Sequence, residues 1–235
     1  MKYIASISFG KDSLAMLLIL LEKGYKVDEV IFYNTGMEFQ AIYNIRDELK
    51  KKLEEKQIKY TELKPKQTFL YKMLEKPVNK KNGTIQTGYG LCGGKCRWGT
   101  VDKNRTIEHY LKINYNDDYK EYIGIAYNEK ERINKNRNTH KIMPLVTWKM
   151  TETDTLKYCY QKGFEWRENE IRLYDILDRV SCWCCANKNK KELENMRKYL
   201  TTYYLQYIDI LKQIKKNNKK GVVVEKAKEQ FLKLF

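Results

Sequence analysis

Residues 3–13, with the sequence YIASISFGKDS, decide the fold because they join a strand to a helix through a polar loop. Tyr3–Ile7 is short, apolar and β-prone, and the following pattern predicts a helix over residues 13–22. Backbone N–H groups at a helix start, a glycine and a lysine together form an anion site. The loop is not a Walker A motif, which needs glycine where Ala5 stands and serine or threonine where Asp12 stands. We therefore predict a phosphate-binding loop.

Strands and helices continue to alternate after this loop. Val30–Tyr33 is a second strand, Ile58–Leu63 a third, and Tyr122–Ile125 a further buried strand. Between the second and third strands, residues 39–57 carry apolar side chains at helical spacing, at Ile42, Ile45, Leu49 and Leu53. Strands separated by helices of this length predict a parallel sheet with right-handed crossovers.

The later part of the chain is less regular. Residues 75–99 are rich in lysine, asparagine and glycine and are expected to form a loop. Thr151 and Asp154 form a capping box for a helix to Lys162. A long tyrosine- and leucine-rich helix is expected over residues 191–216 and a short one over residues 224–234. We expect two parts, a nucleotide-binding domain over residues 1–185 and a C-terminal helical segment over residues 186–235.

The loop resembles the pyrophosphate loop, S-G-G-K-D-S, of the adenine-nucleotide α-hydrolase (PP-loop) superfamily, with Phe9 in place of one glycine. Further segments resemble its phosphoadenylyl-sulfate reductase branch and keep the same chain order. They are Asn34-Thr35-Gly36-Met37-Glu38, Cys96-Arg97-Trp98 to Leu111, Gly124-Ile125-Ala126 with Glu129 and Arg132, Pro144-Leu145-Val146-Thr147-Trp148 with Thr151-Glu152, and Ser181-Cys182-Trp183-Cys184-Cys185. Asn34 replaces the branch's aspartate, and Ala126 replaces an arginine.

The resemblance implies a doubly wound α/β domain (PP-loop or HUP-like) that binds an adenine nucleotide at the carboxyl ends of its strands. It implies ATP with Mg²⁺, cleavage at the α-phosphate, and activation or transfer of sulfur to an acceptor. Lys11, Asp12 and Ser13 would take part in the chemistry. The nucleotide would contact the loop residues Ser8, Phe9, Gly10, Lys11, Asp12 and Ser13, together with Asn34, Thr35, Gly36, Glu38, Arg97, Gly124 and Arg132.

Two cysteine pairs suggest a metal centre. Cys92 and Cys96 form one pair, and Cys182 and Cys185 form the other. Four thiolates suit either tetrahedral Zn²⁺ or a [4Fe–4S] cluster, and the ligand count does not choose between them. The spacing resembles the cluster-binding pattern of adenylyl-sulfate reductases and DNA phosphorothioation enzymes. Buried cysteines without a metal are the alternative, and Cys184 could replace Cys182 as a ligand.

Two other functions compete with ATP-dependent sulfur transfer. Reduction of a sulfonucleotide is disfavoured, because the reductases carry a nucleophilic cysteine in a C-terminal E-C-G-x-H segment and no cysteine follows Cys185 here. The second alternative is a non-catalytic module that senses adenine nucleotides.

Charge and hydropathy limit the remaining functions. The chain has 235 residues, with 46 Lys and Arg against 30 Asp and Glu, a formal charge of +16. No apolar run reaches the roughly 18 residues that span a bilayer, so we expect a cytoplasmic protein without a membrane partner. The positive charge fits a nucleic-acid acceptor such as tRNA or DNA, or a solvated lysine-rich surface.

Overall fold

The computed structural model describes residues 1–90, 96–136 and 138–214, without the side chains of residues 97 and 98. The chain forms two compact units. The first, here called the sheet unit, comprises Met1–Asn34, Gln40–Leu63 and Thr106–Trp166. The second, the cysteine unit, comprises Thr35–Phe39, Lys64–Arg105 and the described part of Arg167–Phe235. The predicted boundary at residue 185 falls inside the cysteine unit.

The strands and helices of the described residues are as follows. The strands are β1 Lys2–Ile7, β2 Glu29–Tyr33, β3 Lys59–Leu63, β4 Pro77–Asn79, β5 Ile85–Thr87, β6 Tyr119–Ile123, β7 Lys141–Ile142, β8 Arg167–Glu168 and β9 Ile171–Arg172. The α-helices are α1 Lys11–Glu22, α2 Gln40–Glu55, α3 Asp102–Tyr115, α4 Lys130–Lys135, α5 Pro144–Thr147, α6 Glu152–Gln161, α7 Leu173–Ile176, α8 Lys190–Tyr199 and α9 Thr201–Gln213. Two π-helical turns, Tyr71–Glu75 and Arg97–Val101, complete the list.

The sheet unit is built on five parallel strands in the order β3-β2-β1-β6-β7. All five residues of β2 are buried, as expected for a central strand of a covered parallel sheet. The strand order reverses between β1 and β6, so the loops that follow these two strands leave the sheet at its topological switch point. The predicted α/β class with a parallel sheet is confirmed.

Helices cover this sheet. Ile107 and Leu111 of α3 pack against Ile4, Ile31 and Tyr33 of the central strands. Helix α1 packs against β1 and α6, and α2 packs against β3. Apolar residues at every third or fourth position supply these contacts, which is why the periodicity of α2 could be recognised in the sequence.

One fully buried acid, Glu29, lies at the start of β2. Tyr110 donates a hydrogen bond to its carboxylate at 2.8 Å, and Thr61 and Tyr115 donate two more. Lys59 Nζ lies 3.2 Å from the same group. Burial favours the neutral acid, but these hydrogen bonds outweigh it and hold the pKa of Glu29 below its usual value.

The cysteine unit corrects two sequence expectations. Part of the predicted loop over residues 75–99 is an antiparallel hairpin of β4 and β5, in which Lys80 N–H donates to the Thr84 carbonyl at 2.9 Å. The single helix expected over residues 191–216 is two helices, α8 and α9. They are separated at Leu200, whose φ of −128° and ψ of 48° are not helical. The helix expected over residues 224–234 lies outside the described residues.

Across the parts of the chain that the structure describes, no helix combines the length and apolar character needed to cross a membrane.

Candidate functional site

The loop between β1 and α1 is held in shape by its own serines. Ser8 N–H donates to Ser13 Oγ at 3.1 Å, and the two hydroxyl oxygens lie 3.2 Å apart. Ser13 Oγ donates in turn to the Gly10 carbonyl at 3.1 Å. Gly10 is the N-cap of α1 and provides no side-chain cap. The first-turn amides of a helix have no intrahelical acceptors, so this end of α1 presents N–H groups and the positive end of the helix dipole.

Phe9 has a left-handed backbone conformation, with φ of 56°. This conformation favours glycine, which the PP-loop pattern has at this position. The ring of Phe9 is fully buried and packs edge-to-face on Phe32, with ring centroids 4.9 Å apart. Trp166 Nε1 donates to the Phe9 carbonyl at 2.7 Å. Burial and this hydrogen bond therefore hold a backbone shape that glycine would adopt without strain.

Gly124, which follows β6, packs directly on the start of α1. A Cβ atom at this position would lie 2.6 Å from Ser13 Cα and 2.8 Å from Ser13 N. Only glycine fits this close approach of two backbones. The residue predicted as a nucleotide contact is thus brought to the phosphate loop, where its observed role is to let the β6 loop lie against it.

Lys11 and Asp12 belong to a partly buried ionic network with α6. Lys11 Nζ lies 3.1 Å from Asp12 Oδ2 and 3.0 Å from Glu152 Oε1. Thr155 Oγ1 donates to Asp12 Oδ1 at 2.6 Å, and Glu152 N–H donates to Asn128 Oδ1 at 3.1 Å. Burial raises the pKa of Asp12 above its usual value, although Lys11 and Thr155 oppose the shift. The first turn of α6 therefore holds the two charged residues of the phosphate loop.

Two residues of this network were not predicted as site residues. Glu152 belongs to the Pro144–Glu152 motif but had no predicted role, and Thr155 lies outside every motif. The capping box of Thr151 and Asp154 is present as predicted and fixes where α6 begins. When a helix begins at this point, residues 152 and 155 lie on the same face, one turn apart. The capping box in the sequence could therefore have predicted that these two side chains are neighbours.

Two other predicted contacts have partners inside the sheet unit. Asn34 Nδ2 donates to Glu62 Oε1 at 2.9 Å, and its Oδ1 accepts from Tyr43 OH at 3.0 Å. Arg132 is exposed on α4 and pairs with Glu129, whose carboxylate also accepts from Ala126 N–H at 3.1 Å. None of these hydrogen bonds or ion pairs directs the side chain of Asn34 or Arg132 toward the phosphate loop.

Thr35, Gly36 and Glu38 lie in the cysteine unit, where the segment contacts the cysteine turn. Thr35 Oγ1 donates to Glu38 Oε1 at 2.9 Å and lies 3.7 Å from Cys182 Sγ. Cys182 Sγ also lies 3.8 Å from Glu38 Oε1. Burial raises the pKa of Glu38, with Thr35 opposing, and raises that of the Cys182 thiol well above its usual value.

The residues of the second cysteine pair share one turn. Cys185 N–H donates to the Cys182 carbonyl at 3.0 Å, and Cys184 between them is buried. The backbone N–H of Lys188 donates to the Cys185 carbonyl at 3.4 Å. Burial lowers the pKa of the Lys188 ammonium. A short loop thus carries three thiols and a buried lysine.

Of the first cysteine pair, the structure describes only Cys96. Cys92 lies outside the described residues, as does the side chain of Arg97. Cys96 Sγ accepts a hydrogen bond from Gly99 N–H at 3.2 Å. No set of three or more histidine, cysteine or acidic residues is placed to hold a metal within residues 1–90, 96–136 and 138–214. Three of the four predicted ligands, Cys96, Cys182 and Cys185, are among these residues, so the described part of the chain does not bring them together as a metal site.

The first part of the chain is similar to a known domain family. Residues 2–86 match the family model of the phosphoadenosine phosphosulfate reductase domain, and this match confirms the resemblance to the PP-loop superfamily. An uncharacterized protein of Methanocaldococcus jannaschii is 23% identical over 236 aligned residues. The alignment covers 93% of this chain and 43% of that protein, so the chain spans less than half of the relative's length.

Proposed function

We propose that this chain, whose residues 2–86 match a phosphoadenosine phosphosulfate reductase domain, binds ATP at Ser8–Ser13 and cleaves it between the α- and β-phosphates. The observation that carries this proposal is the loop at the switch point of the sheet. There, the amino end of α1, Lys11 and two serine hydroxyls converge on the same few residues. Such a combination of helix dipole, amide donors and a lysine suits the pyrophosphate part of a nucleotide.

Lys11 would change partners when the nucleotide binds. Its ammonium is shared between Asp12 and Glu152, and a phosphate oxygen would replace one of these carboxylates. Mg²⁺ is usually held by one or two carboxylates together with substrate phosphates, so Asp12 is the proposed protein ligand. Bound Mg²⁺ would neutralise phosphate charge. The hydroxyls of Ser8 and Ser13 would donate hydrogen bonds to the same oxygens.

The products of α–β cleavage define the reaction class. Attack of an acceptor oxygen on the α-phosphorus forms an adenylated acceptor and releases pyrophosphate. A sulfur nucleophile then displaces AMP from the acceptor. We propose this sulfur transfer as the activity, with a metal centre of zinc or iron and sulfur on Cys92, Cys96, Cys182 and Cys185. A tRNA or DNA acceptor accords with the +16 charge.

The test of the nucleotide site compares two lysines that each link α1 with α6. Lys11 pairs with Glu152, whereas Lys162 pairs with Glu22 near the surface. We expect Lys11→Met to reduce ATP affinity at least a hundredfold in titration calorimetry with Mg²⁺, and Lys162→Met to leave it within about twofold, since a surface ion pair contributes little. Equal affinity of Lys11→Met and the wild type would rule out this loop as the phosphate site.

A second experiment separates the candidate activities. Formation of AMP and pyrophosphate from ATP in the presence of tRNA, DNA or small acceptors supports the enzyme. Tight ATP binding without turnover for every acceptor supports the adenine-nucleotide sensor. The match to the phosphoadenosine phosphosulfate reductase domain keeps sulfonucleotides as candidate ligands, and displacement of bound ATP by adenylyl sulfate at lower concentration than by AMP would favour them.

A further inference from the structure

The ammonium of Lys11 is already surrounded by negative charge from the protein itself. Its Nζ lies 3.1 Å from each carboxylate oxygen of Asp12 and 3.0 Å from Glu152 Oε1. These three side chains carry one positive and two negative charges, because contact with an ammonium favours the ionised form of a carboxylate. An incoming phosphate therefore meets a lysine whose immediate partners repel it.

Of the two carboxylates, Glu152 is the one that an incoming anion can displace. Its side chain is 36% exposed, against 18% for Asp12. Asp12 is the sequence neighbour of Lys11 and also accepts the Thr155 hydroxyl at 2.6 Å. The second carboxylate oxygen of Glu152 has only a long contact, 3.5 Å from Asn128 Nδ2. A phosphate oxygen that binds Lys11 thus takes the place of Glu152 more readily than that of Asp12.

The displaced carboxylate stays close to the anion that replaces it. Glu152 is the first residue of α6, and its N–H donates to Asn128 Oδ1 at 3.1 Å, so its backbone is held in place. An oxygen that binds the Lys11 ammonium at about 3 Å lies no more than about 6 Å from the observed position of Glu152 Oε1. Like charges at this separation repel each other strongly in a partly buried site. A polyphosphate that carries a divalent cation brings two positive charges to offset this repulsion, whereas a metal-free polyphosphate brings none.

We propose that Glu152 is a specificity residue of the phosphate loop, which makes the loop select polyphosphates complexed with a divalent cation over metal-free ones. This inference rests on the ATP site proposed above and adds a residue from outside the loop. In the unliganded chain the Glu152 carboxylate occupies Lys11 as an internal anion. When a phosphate takes Lys11, the freed carboxylate penalises every ligand that arrives without a compensating cation.

Two variants remove this carboxylate charge, and a third provides the control. Glu152→Gln keeps the length of the side chain and an oxygen that can accept from Lys11, whereas Glu152→Ala removes the whole group. Glu22→Gln is the matched control, because Glu22 also joins α1 to α6 through an ion pair, with Lys162. Glu22 is the last residue of α1, roughly 16 Å along the helix axis from Lys11.

The experiment titrates each protein calorimetrically with ATP at constant ionic strength, once in EDTA and once in excess Mg²⁺. We expect the wild type to bind metal-free ATP at least tenfold more weakly than the Mg²⁺ complex. Glu152→Gln and Glu152→Ala should bind metal-free ATP about tenfold or more tightly than the wild type, since one nearby like charge is gone. Their affinity for the Mg²⁺ complex should stay within about threefold, and Glu22→Gln should match the wild type under both conditions. Circular dichroism confirms that each variant is folded.

Four results would overturn the assignment of Glu152. They are a wild type that binds ATP equally well with and without Mg²⁺, folded Glu152 variants whose affinity for metal-free ATP is unchanged, a Glu22→Gln variant that gains as much affinity as they do, and Glu152 variants that lose tenfold or more affinity for the Mg²⁺ complex. The last result would make Glu152 a ligand of the metal or the nucleotide. Each contradicts this inference alone when the wild type binds ATP with Mg²⁺, whereas a wild type that binds no ATP under either condition contradicts the proposed function and the inference with it.

Discussion

Phe9 offers a direct test of the backbone shape of the phosphate loop, through the variants Phe9→Ala and Phe9→Gly. Its φ of 56° is unfavourable for an aromatic side chain and is favoured by glycine, and its ring is fully buried against Phe32. Both variants lose the ring, which costs about 3–5 kcal/mol. They differ in the backbone, since alanine keeps the strain and glycine removes it.

The expected difference follows from two opposing terms. A left-handed residue other than glycine costs about 1–2 kcal/mol. Glycine elsewhere is less stable than alanine by about 0.5–1 kcal/mol, because the unfolded chain is more flexible. At position 9 the first term is larger, so Phe9→Gly should be more stable than Phe9→Ala by roughly 0.5–1 kcal/mol. At Phe32, a buried residue of β2 without a positive φ, the order should reverse by a similar amount.

The assay is equilibrium urea unfolding of the four variants without nucleotide, with the midpoints compared at constant slope. The free-energy difference between the glycine and alanine variants should change by about 1–2 kcal/mol from position 9 to position 32. This change corresponds to roughly 0.5 M in the difference between their urea midpoints. If alanine is the more stable substitution at both positions, Phe9 is not strained in solution. The left-handed conformation assigned to Phe9 would then be wrong, and so would the loop geometry proposed for phosphate binding.

Three further changes test the site and its support. Gly124→Ala should destabilise the fold by about 1–3 kcal/mol and weaken ATP binding, because its Cβ would collide with the Ser13 backbone; unchanged calorimetric affinity would contradict this. Trp166→Phe should lower the free energy of unfolding by about 1–2 kcal/mol, measured in urea, through loss of the hydrogen bond to the Phe9 carbonyl. Glu29→Gln should flatten the pH dependence of thermal stability: the native pKa of Glu29 is lowered, so its contribution is present above the unfolded value of 4.5 and is lost as pH falls through the native pKa. An unaltered slope in that acidic range would show that Glu29 is not ionised in the folded protein.

The sequence predicted the sheet better than the contacts around it. Strand β2 and helix α2 follow from local periodicity, and the polar loop after β1 follows from a contiguous motif. The pairing of Lys11 with Glu152 does not, because Glu152 lies 141 residues away along the chain and is brought close only by packing of α6 on α1. The break at Leu200 was missed for a related reason. Apolar spacing continues through it, and the local φ and ψ of one residue leave no mark on the pattern.

Burial singles out two lysines where net charge does not. The formal charge of +16 is spread over the whole sequence and does not single out any position. Among the described residues, Lys11 and Lys188 are the two buried lysines, at 7% and 6% exposure. Lys11 is paired with two carboxylates, so an anion that binds there must displace an existing partner, and a nucleotide can do so because its phosphates bring Mg²⁺ with them. Lys188 Nζ makes no hydrogen bond within the described part of the chain, and Glu192 attracts it only electrostatically. The two buried lysines therefore differ in their partners: Lys11 is held by an ion-pair network, and Lys188 is not.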